Sequence, residues 1–284
     1  MYYYEIAEVG IKLDTDKKID SSQKFKLFEI DKNKFDMLKN KIIFKVTNNN
    51  MPIKNKSKVI HEGIESFVQK DYNGNIWFLR SGSTSHLCHI DYNNGDHEII
   101  IDQNNKVIPK TWQLFEVMNV VKIFAQFNTL ILHSSFISYK DKGIIFTGPS
   151  GIGKSTQADL WAKYQNSNII NGDRTLLKKS GGKWFGYGFP YSGSSNHCLN
   201  ESYEIKFIVV LEQGDKNEIK KLSGIEKLKY VYSQIAINKW DKELNITIIN
   251  LVEKLLSDVE VIKLSCLPNE ESVEELKKFI EGMC

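Results

Sequence analysis

One run constrains this chain more than any other: Gly148-Pro149-Ser150-Gly151-Ile152-Gly153-Lys154-Ser155-Thr156. It satisfies the pattern G-x-x-x-x-G-K-[ST] at every fixed position. Glycines at 148, 151 and 153 remove Cβ atoms and permit positive φ, so that several backbone N–H groups can crowd around one anion. Such amides form a concave nest, and a helix that begins there directs its positive end into the nest. The pattern predicts a phosphate cradle in which Gly148, Ser150, Gly151, Ile152, Gly153, Lys154, Ser155 and Thr156 bind a nucleotide. Lys154 supplies a movable cation for the β- and γ-phosphates, and the Ser155 hydroxyl is a ligand for Mg²⁺.

The flanks agree with that setting. Gly143-Ile144-Ile145-Phe146-Thr147 is a short apolar run of the kind found in buried parallel strands. Gln157 to Tyr164 reads as an amphipathic helix with Leu160, Trp161 and Tyr164 near one face. The alternative is a glycine-rich turn in a βα unit that binds nothing.

Composition narrows the class. The 284 residues suffice for one large domain or two modest ones. A net charge of +3, with no basic cluster beyond Lys54-Asn55-Lys56-Ser57-Lys58, excludes an obvious nucleic-acid partner. The cysteines at 88, 198, 266 and 284 show no C-x-x-C spacing. The start Met1-Tyr2-Tyr3-Tyr4-Glu5-Ile6 lacks the basic and apolar regions of a signal peptide, and no apolar run reaches membrane-spanning length. A cytoplasmic protein without membrane partners is expected.

Residues 1–110 read as a β-rich, antiparallel module. Candidate strands are Tyr2–Val9, Phe25–Ile30, Ile42–Thr47, Ile64–Gln69, Ile76–Arg80, His86–Tyr92 and Glu98–Asp102, with a short helix over Lys32–Leu38. Asn73-Gly74 and Asn94-Gly95 suit tight hairpins. His86, Cys88, His89 and His97 invite a metal reading, but strand alternation sends His89 to the face opposite His86 and Cys88, and no second pair has zinc-site spacing. After Pro109, Thr111 is a candidate N-cap for one helix over Trp112–Phe127, apolar on most of its circumference. Residues 111–284 are expected to form a second, α/β domain. Leu130–Leu132 and Ser134–Tyr139 read as two successive strands ahead of the glycine-rich run.

Three further residues carry candidate chemistry. His133 ends the first of those strands; it is either a structural histidine or part of the site. Asn168-Ile169-Ile170-Asn171-Gly172-Asp173 reads as a strand ending in an acid, expected beside the strand that precedes the glycine loop. Asp173 either holds the metal through water, or takes the proton of an attacking hydroxyl, or is a turn residue. Arg174 pairs either with phosphate oxygens or with a surface acid. The stretch from Lys183 to His197 opens as a strand and becomes a Gly- and Ser-rich loop, which is either substrate-facing or a plain connection.

Taken together, Leu132-His133-Ser134-Ser135, Gly148 to Thr156, and Ile170-Asn171-Gly172-Asp173-Arg174 resemble the catalytic domain of HPr kinase/phosphorylase, over roughly residues 130–265. The chain is similar in particular to HPr-kinase-like proteins found beside peptide-modifying enzymes. The resemblance implies an α/β P-loop domain of the HPr kinase/phosphoenolpyruvate carboxykinase type, following the β-rich module. It implies His133 near the phosphates and Asp173 as the base that activates the acceptor hydroxyl. It also implies ATP as donor, Mg²⁺ as cofactor, and a homo-oligomer. The family pattern has two consecutive acids where this chain has Gly172-Asp173, and its glycine-rich signature loop is not recognisable here. Both departures weigh against the reverse, phosphorylase, activity and against HPr as substrate.

Strands over Ile205–Glu212, Glu218–Leu222 and Val259–Leu264, and helices over Ile225–Ile237, Lys242–Leu256 and Glu270–Ile280, complete the expected α/β domain. The leading expectation is an ATP-dependent kinase acting on a serine of a protein or peptide. A small-molecule kinase and a non-catalytic nucleotide-binding module remain as alternatives.

Overall fold

A computed structural model of the chain describes residues 1–51, 57–63, 66–81, 86–105, 108–193 and 195–283. Residues 54–56 of the lysine-rich stretch, Ile64 and Glu65 of an expected strand, Ser194 of the loop, and Cys284 lie outside the described residues. The described residues are of mixed α/β class and form two eight-stranded sheets. It divides into two compact units, Met1–Ile123 and Phe124–Cys284.

The first unit is built on one sheet. Its strands are β1 (Tyr2–Ile6), β2 (Val9–Asp14), β3 (Asn40–Asn49), β4 (Ser57–Glu62), β5 (Ser66–Asp71), β6 (Ile76–Ser81), β7 (His86–Asp91) and β8 (His97–Asp102). Their order is β1-β2-β3-β8-β7-β6-β5-β4. The module is not purely antiparallel as expected, because β2–β3 and β3–β8 are parallel pairs. The connection from β2 to β3 explains the first of these, since it returns through α1 (Gln23–Lys26) and α2 (Lys32–Met37). Phe25 therefore lies in a helical turn and not in a strand. Its ring is buried against Phe115, 4.7 Å between centroids, so the aromatics of this stretch reflect packing and not strand period. The end of the same stretch does pair with β1, through Glu5 N–H to Phe28 O and Ile30 N–H to Tyr3 O. Cys88 packs with Leu79, Ile90 and Ile100. His89 faces Phe44, Phe78 and His97, with its Nε2 3.3 Å from His97 Nδ1.

The boundary lies beyond residue 110 because α3 (Thr111–Val117) packs into the first unit. Phe115 sits 5.6 Å from Tyr4, ring to ring, and Tyr4 Oη is 3.4 Å from Thr111 Oγ1. The expected single helix over 112–127 is broken. Met118 is extended, at ψ 139°, and Asn119 Oδ1 accepts from Lys122 N–H at 3.2 Å, opening α4 (Val120–Gln126). An asparagine that caps a new helix ends the old one. The N-cap of α3 is Lys110, not Thr111; its N–H donates to Gln113 Oε1 at 2.8 Å.

In the second unit the strands are β9 (Thr129–Tyr139), β10 (Lys142–Thr147), β11 (Asn168–Asn171), β12 (Arg174–Ser180), β13 (Lys183–Tyr187), β14 (Ser202–Gln213), β15 (Glu218–Lys221) and β16 (Glu260–Cys266). The helices are α5 (Lys154–Gln165), α6 (Gly224–Tyr232), α7 (Lys242–Asp258) and α8 (Glu270–Gly282). β9 is one continuous strand, not two. Its first half pairs with β12, and its second half pairs with β10 on one edge and β11 on the other. β14 pairs in parallel with β10 and β16 and antiparallel with β13, so the pairings β9–β12–β13–β14–β10 close a ring.

Strand alternation gives this sheet two apolar faces. Ile144 and Phe146 of β10, Phe207, Val209 and Leu211 of β14, and Ile262 and Leu264 of β16 pack with Trp161 of α5 and Leu276 of α8. Their neighbours Ile145, Ile208, Val210 and Val261, also buried, point to the opposite side. Both faces are covered, which is why these strands read as continuous apolar runs. Among the described residues, no helix is long and apolar enough to cross a membrane.

Candidate active site

The glycine loop runs from the end of β10 to the start of α5. Gly148, Gly151 and Gly153 all take positive φ, at 147°, 79° and 111°. A Cβ at Gly148 would stand 3.2 Å from Ile152 Cγ2 and 3.3 Å from Leu211 O, so this close approach needs glycine. Cβ atoms at Gly151 and Gly153 would meet nothing within 4 Å, because both positions open into empty space. Gly153 serves as the N-cap of α5. The helix thus begins at the loop, and its unpaired N–H groups and dipole make that end favourable to an anion.

Lys154 is only 7% exposed. Its ammonium donates to Gly148 O and Pro149 O, both at 3.0 Å, and so braces the loop from inside. Burial lowers its pKa from the usual lysine value, and the charge of Asp173 opposes that shift.

Asp173 is set by its neighbours. The buried Asn171 accepts from the N–H groups of Asp173 and Arg174 through Oδ1, both at 2.9 Å, and donates from Nδ2 to Phe189 O. Ser134 N–H donates to Asp173 O at 2.9 Å. The carboxylate lies between an imidazole and a guanidinium: Oδ1 is 3.6 Å from His133 Nε2, and Oδ2 is 3.3 Å from Arg174 Nε. His133 and Arg174 are directly opposed in the β9–β12 ladder, which puts both side chains on one face. Burial, and then the charge of Lys154, hold the His133 pKa below the ordinary histidine value; Asp173 and Gln234 pull it back up. The acid does not arrive on the strand beside β10, as expected. β9 intervenes, because it is long enough to pair with β10 and with the β11–β12 side at once.

A cavity of about 550 Å³ opens between the glycine loop and Asp173. Ser150, Gly151, Gly153, Lys154, Ser155 and Thr156 line it from the loop and helix. His133 and Asp173 line it from the strands. Gly148 and Ile152 do not; Ile152 packs against the core beneath the loop. Arg174 does not line it either, and its guanidinium lies 5.9 Å from the ring centre of Tyr191.

The loop after β13 supplies the far wall, with Ser192, Ser195, Asn196 and His197. A Cβ on Gly172 would fall 2.0 Å from Ser195 Oγ, and one on Gly193 would fall 2.9 Å from Asp173 Cγ. The loop is therefore pressed onto the Gly172-Asp173 corner. Asp159, which no sequence pattern marks, also reaches the cavity, and its Oδ1 is 3.9 Å from His197 Nε2.

Among the described residues no group of three or more His, Cys, Asp or Glu side chains could hold a metal ion. A hard cation that keeps several waters needs less than that. Ser155 and Asp173 present oxygens to the same cavity, which fits Mg²⁺ completed by water and phosphate oxygens.

No protein-family model and no curated protein matches the chain. Among solved structures, it is similar to the HPr(Ser) kinase/phosphatase from Coxiella burnetii, with 13% identity and a TM-score of 0.31 over 54% of this chain and 93% of that one.

Proposed function

We propose that this chain is an ATP-dependent kinase that transfers the γ-phosphoryl group to a hydroxyl, a serine of a protein or peptide. The observation that carries the reading is one cavity lined by Lys154, Ser155, Asp173 and His133 beneath the start of a helix. Fixed amides, a buried cation and a carboxylate are what phosphoryl transfer requires, since its catalysis is mostly positioning and charge stabilisation. The choice of serine follows the motif resemblance to HPr-kinase-type enzymes.

In this reading the loop amides and the Lys154 ammonium hold the β- and γ-phosphates. Ser155 and Asp173 would hold Mg²⁺, which would supply neutralisation of developing charge. Asp173 receives the proton of the acceptor hydroxyl. His133, 3.6 Å away, orients that carboxylate and adds positive charge only when protonated. Arg174, outside the cavity, fixes Asp173 from the other side at 3.3 Å instead of gripping phosphate.

The test is incubation with γ-labelled ATP and Mg²⁺ against serine-containing peptides and, separately, small alcohols. Label transferred to peptide by the native chain, and lost in Lys154→Ala, supports the proposal. Tight nucleotide binding with no transfer to any acceptor would reduce the protein to a binding module. Transfer undiminished in Lys154→Ala would overturn the assignment.

A further inference from the structure

We propose that Ser195 is itself a phosphoryl acceptor, so that the chain modifies its own cavity wall; this rests on the kinase reading above. The loop that carries Ser195 is folded to present it. Ser195 N–H donates to Ser192 O, and Ser192 Oγ donates to Ser195 O, both at 3.0 Å. Gly193, at φ 54°, lies against the Asp173 carboxylate. Ser195 Oγ accepts from His197 N–H at 3.1 Å and occupies the space that any side chain at position 172 would need. A serine hydroxyl thus stands beside the residue preceding Asp173, in the cavity that Lys154 and Ser155 also line.

Ser192 lines the same cavity, but it is 1% exposed and its hydroxyl is committed to Ser195 O. Ser195 is partly exposed and takes the outer position. Gly172 is what admits it: a larger residue there would displace the hydroxyl from its present seat.

The step balances without any further reagent. Ser195 Oγ attacks the γ-phosphorus of ATP, and its proton passes to the Asp173 carboxylate. The bond from γ-phosphorus to the β,γ-bridging oxygen breaks, and that oxygen leaves with its electron pair on ADP. The product is a phosphoserine carrying about −1.5 to −2 charges at neutral pH. Such a group stands in the cavity that receives the nucleotide, so the modification would weaken further ATP binding.

The experiment uses the full chain with γ-labelled ATP and Mg²⁺ and no added acceptor. Tandem mass spectrometry locates the label, and a fluorescent ATP analogue reports nucleotide binding in parallel. The expected result is up to one phosphate per chain on Ser195, at a first-order rate independent of protein concentration. Label is lost in Ser195→Ala and regained in Ser195→Thr. A chain that binds ATP and phosphorylates an added peptide yet carries no phosphate on Ser195 overturns this proposal and leaves the kinase reading standing. Label confined to Ser192 or Ser194 overturns it as well. Failure to bind the ATP analogue overturns both.

Discussion

The ammonium of Lys154 is held 3.0 Å from the carbonyl of Gly148, the first residue of the loop that it would serve. A phosphate entering the loop competes for that proton donor. Charge-assisted hydrogen bonds are each worth about 1.5–3 kcal/mol, so Lys154→Ala should weaken ATP binding by about ten- to a hundredfold. Titration of a fluorescent nucleotide measures this. The same variant also loses the internal brace to Pro149 O, so its loop amides should exchange hydrogen faster.

Asp173→Asn keeps the shape of the corner and removes the charge. Its backbone is tied down by Asn171 and Ser134, so the fold should persist. Nucleotide binding should be nearly unchanged at low Mg²⁺, while transfer falls by about 10²- to 10⁴-fold, the usual contribution of a general base. Single-turnover rates separate the two effects. Equal transfer rates for the variant and the native chain would remove Asp173 from the chemistry.

Gly172→Ala drives a methyl group into Ser195 Oγ. Overpacking of this kind typically costs about 1–3 kcal/mol, so the melting temperature should fall. Ser195→Gly in the same chain removes the clash and should restore most of the loss. A double variant as unstable as Gly172→Ala alone would show that the two positions are not in contact.

His89 is fully buried, and burial, assisted by His97 and Lys122, pushes its pKa down to about 3. His97 is lowered as well, chiefly by burial. An unfolded imidazole titrates near 6.5. Between these values the unfolded chain binds a proton that folded His89 refuses. The stabilisation is therefore complete above about pH 6.5 and is lost as the pH falls toward 3. Urea unfolding of the first unit should show a loss of about 2 kcal/mol from His89 between pH 7.5 and 5. His89→Phe should flatten that slope, and an unchanged slope would exclude His89 as its source.

How much of the fold and site is legible in the sequence depends on the range of the interactions. The glycine loop and its flanks follow from local rules, because φ, helix start and strand burial are each decided within a few residues. The alternation of Ile144, Ile145 and Phe146 between two covered faces is likewise local. The break at Met118-Asn119 was not legible, since apolar residues run through it and only the capping bond to Lys122 N–H ends the helix. The stretch around Phe25 suits a strand by composition, because aromatic content does not distinguish a packed turn from a pleat. The pairing of His133 with Arg174 and the seat of Ser195 over Gly172 join distant segments, and no spacing rule reaches them. Asp159 carries no motif; only its place on α5 brings it to the cavity.

Ser134 is the rung between the two halves of the cavity. It lies opposite Thr147 at the foot of the glycine loop, and its N–H holds Asp173 O from the other edge of the strand. The spacing between the glycine loop and the acid corner is thus set by one strand that pairs with both. Heating should consequently destroy the anion cradle and the acid corner in a single step, with no intermediate that keeps one and has lost the other.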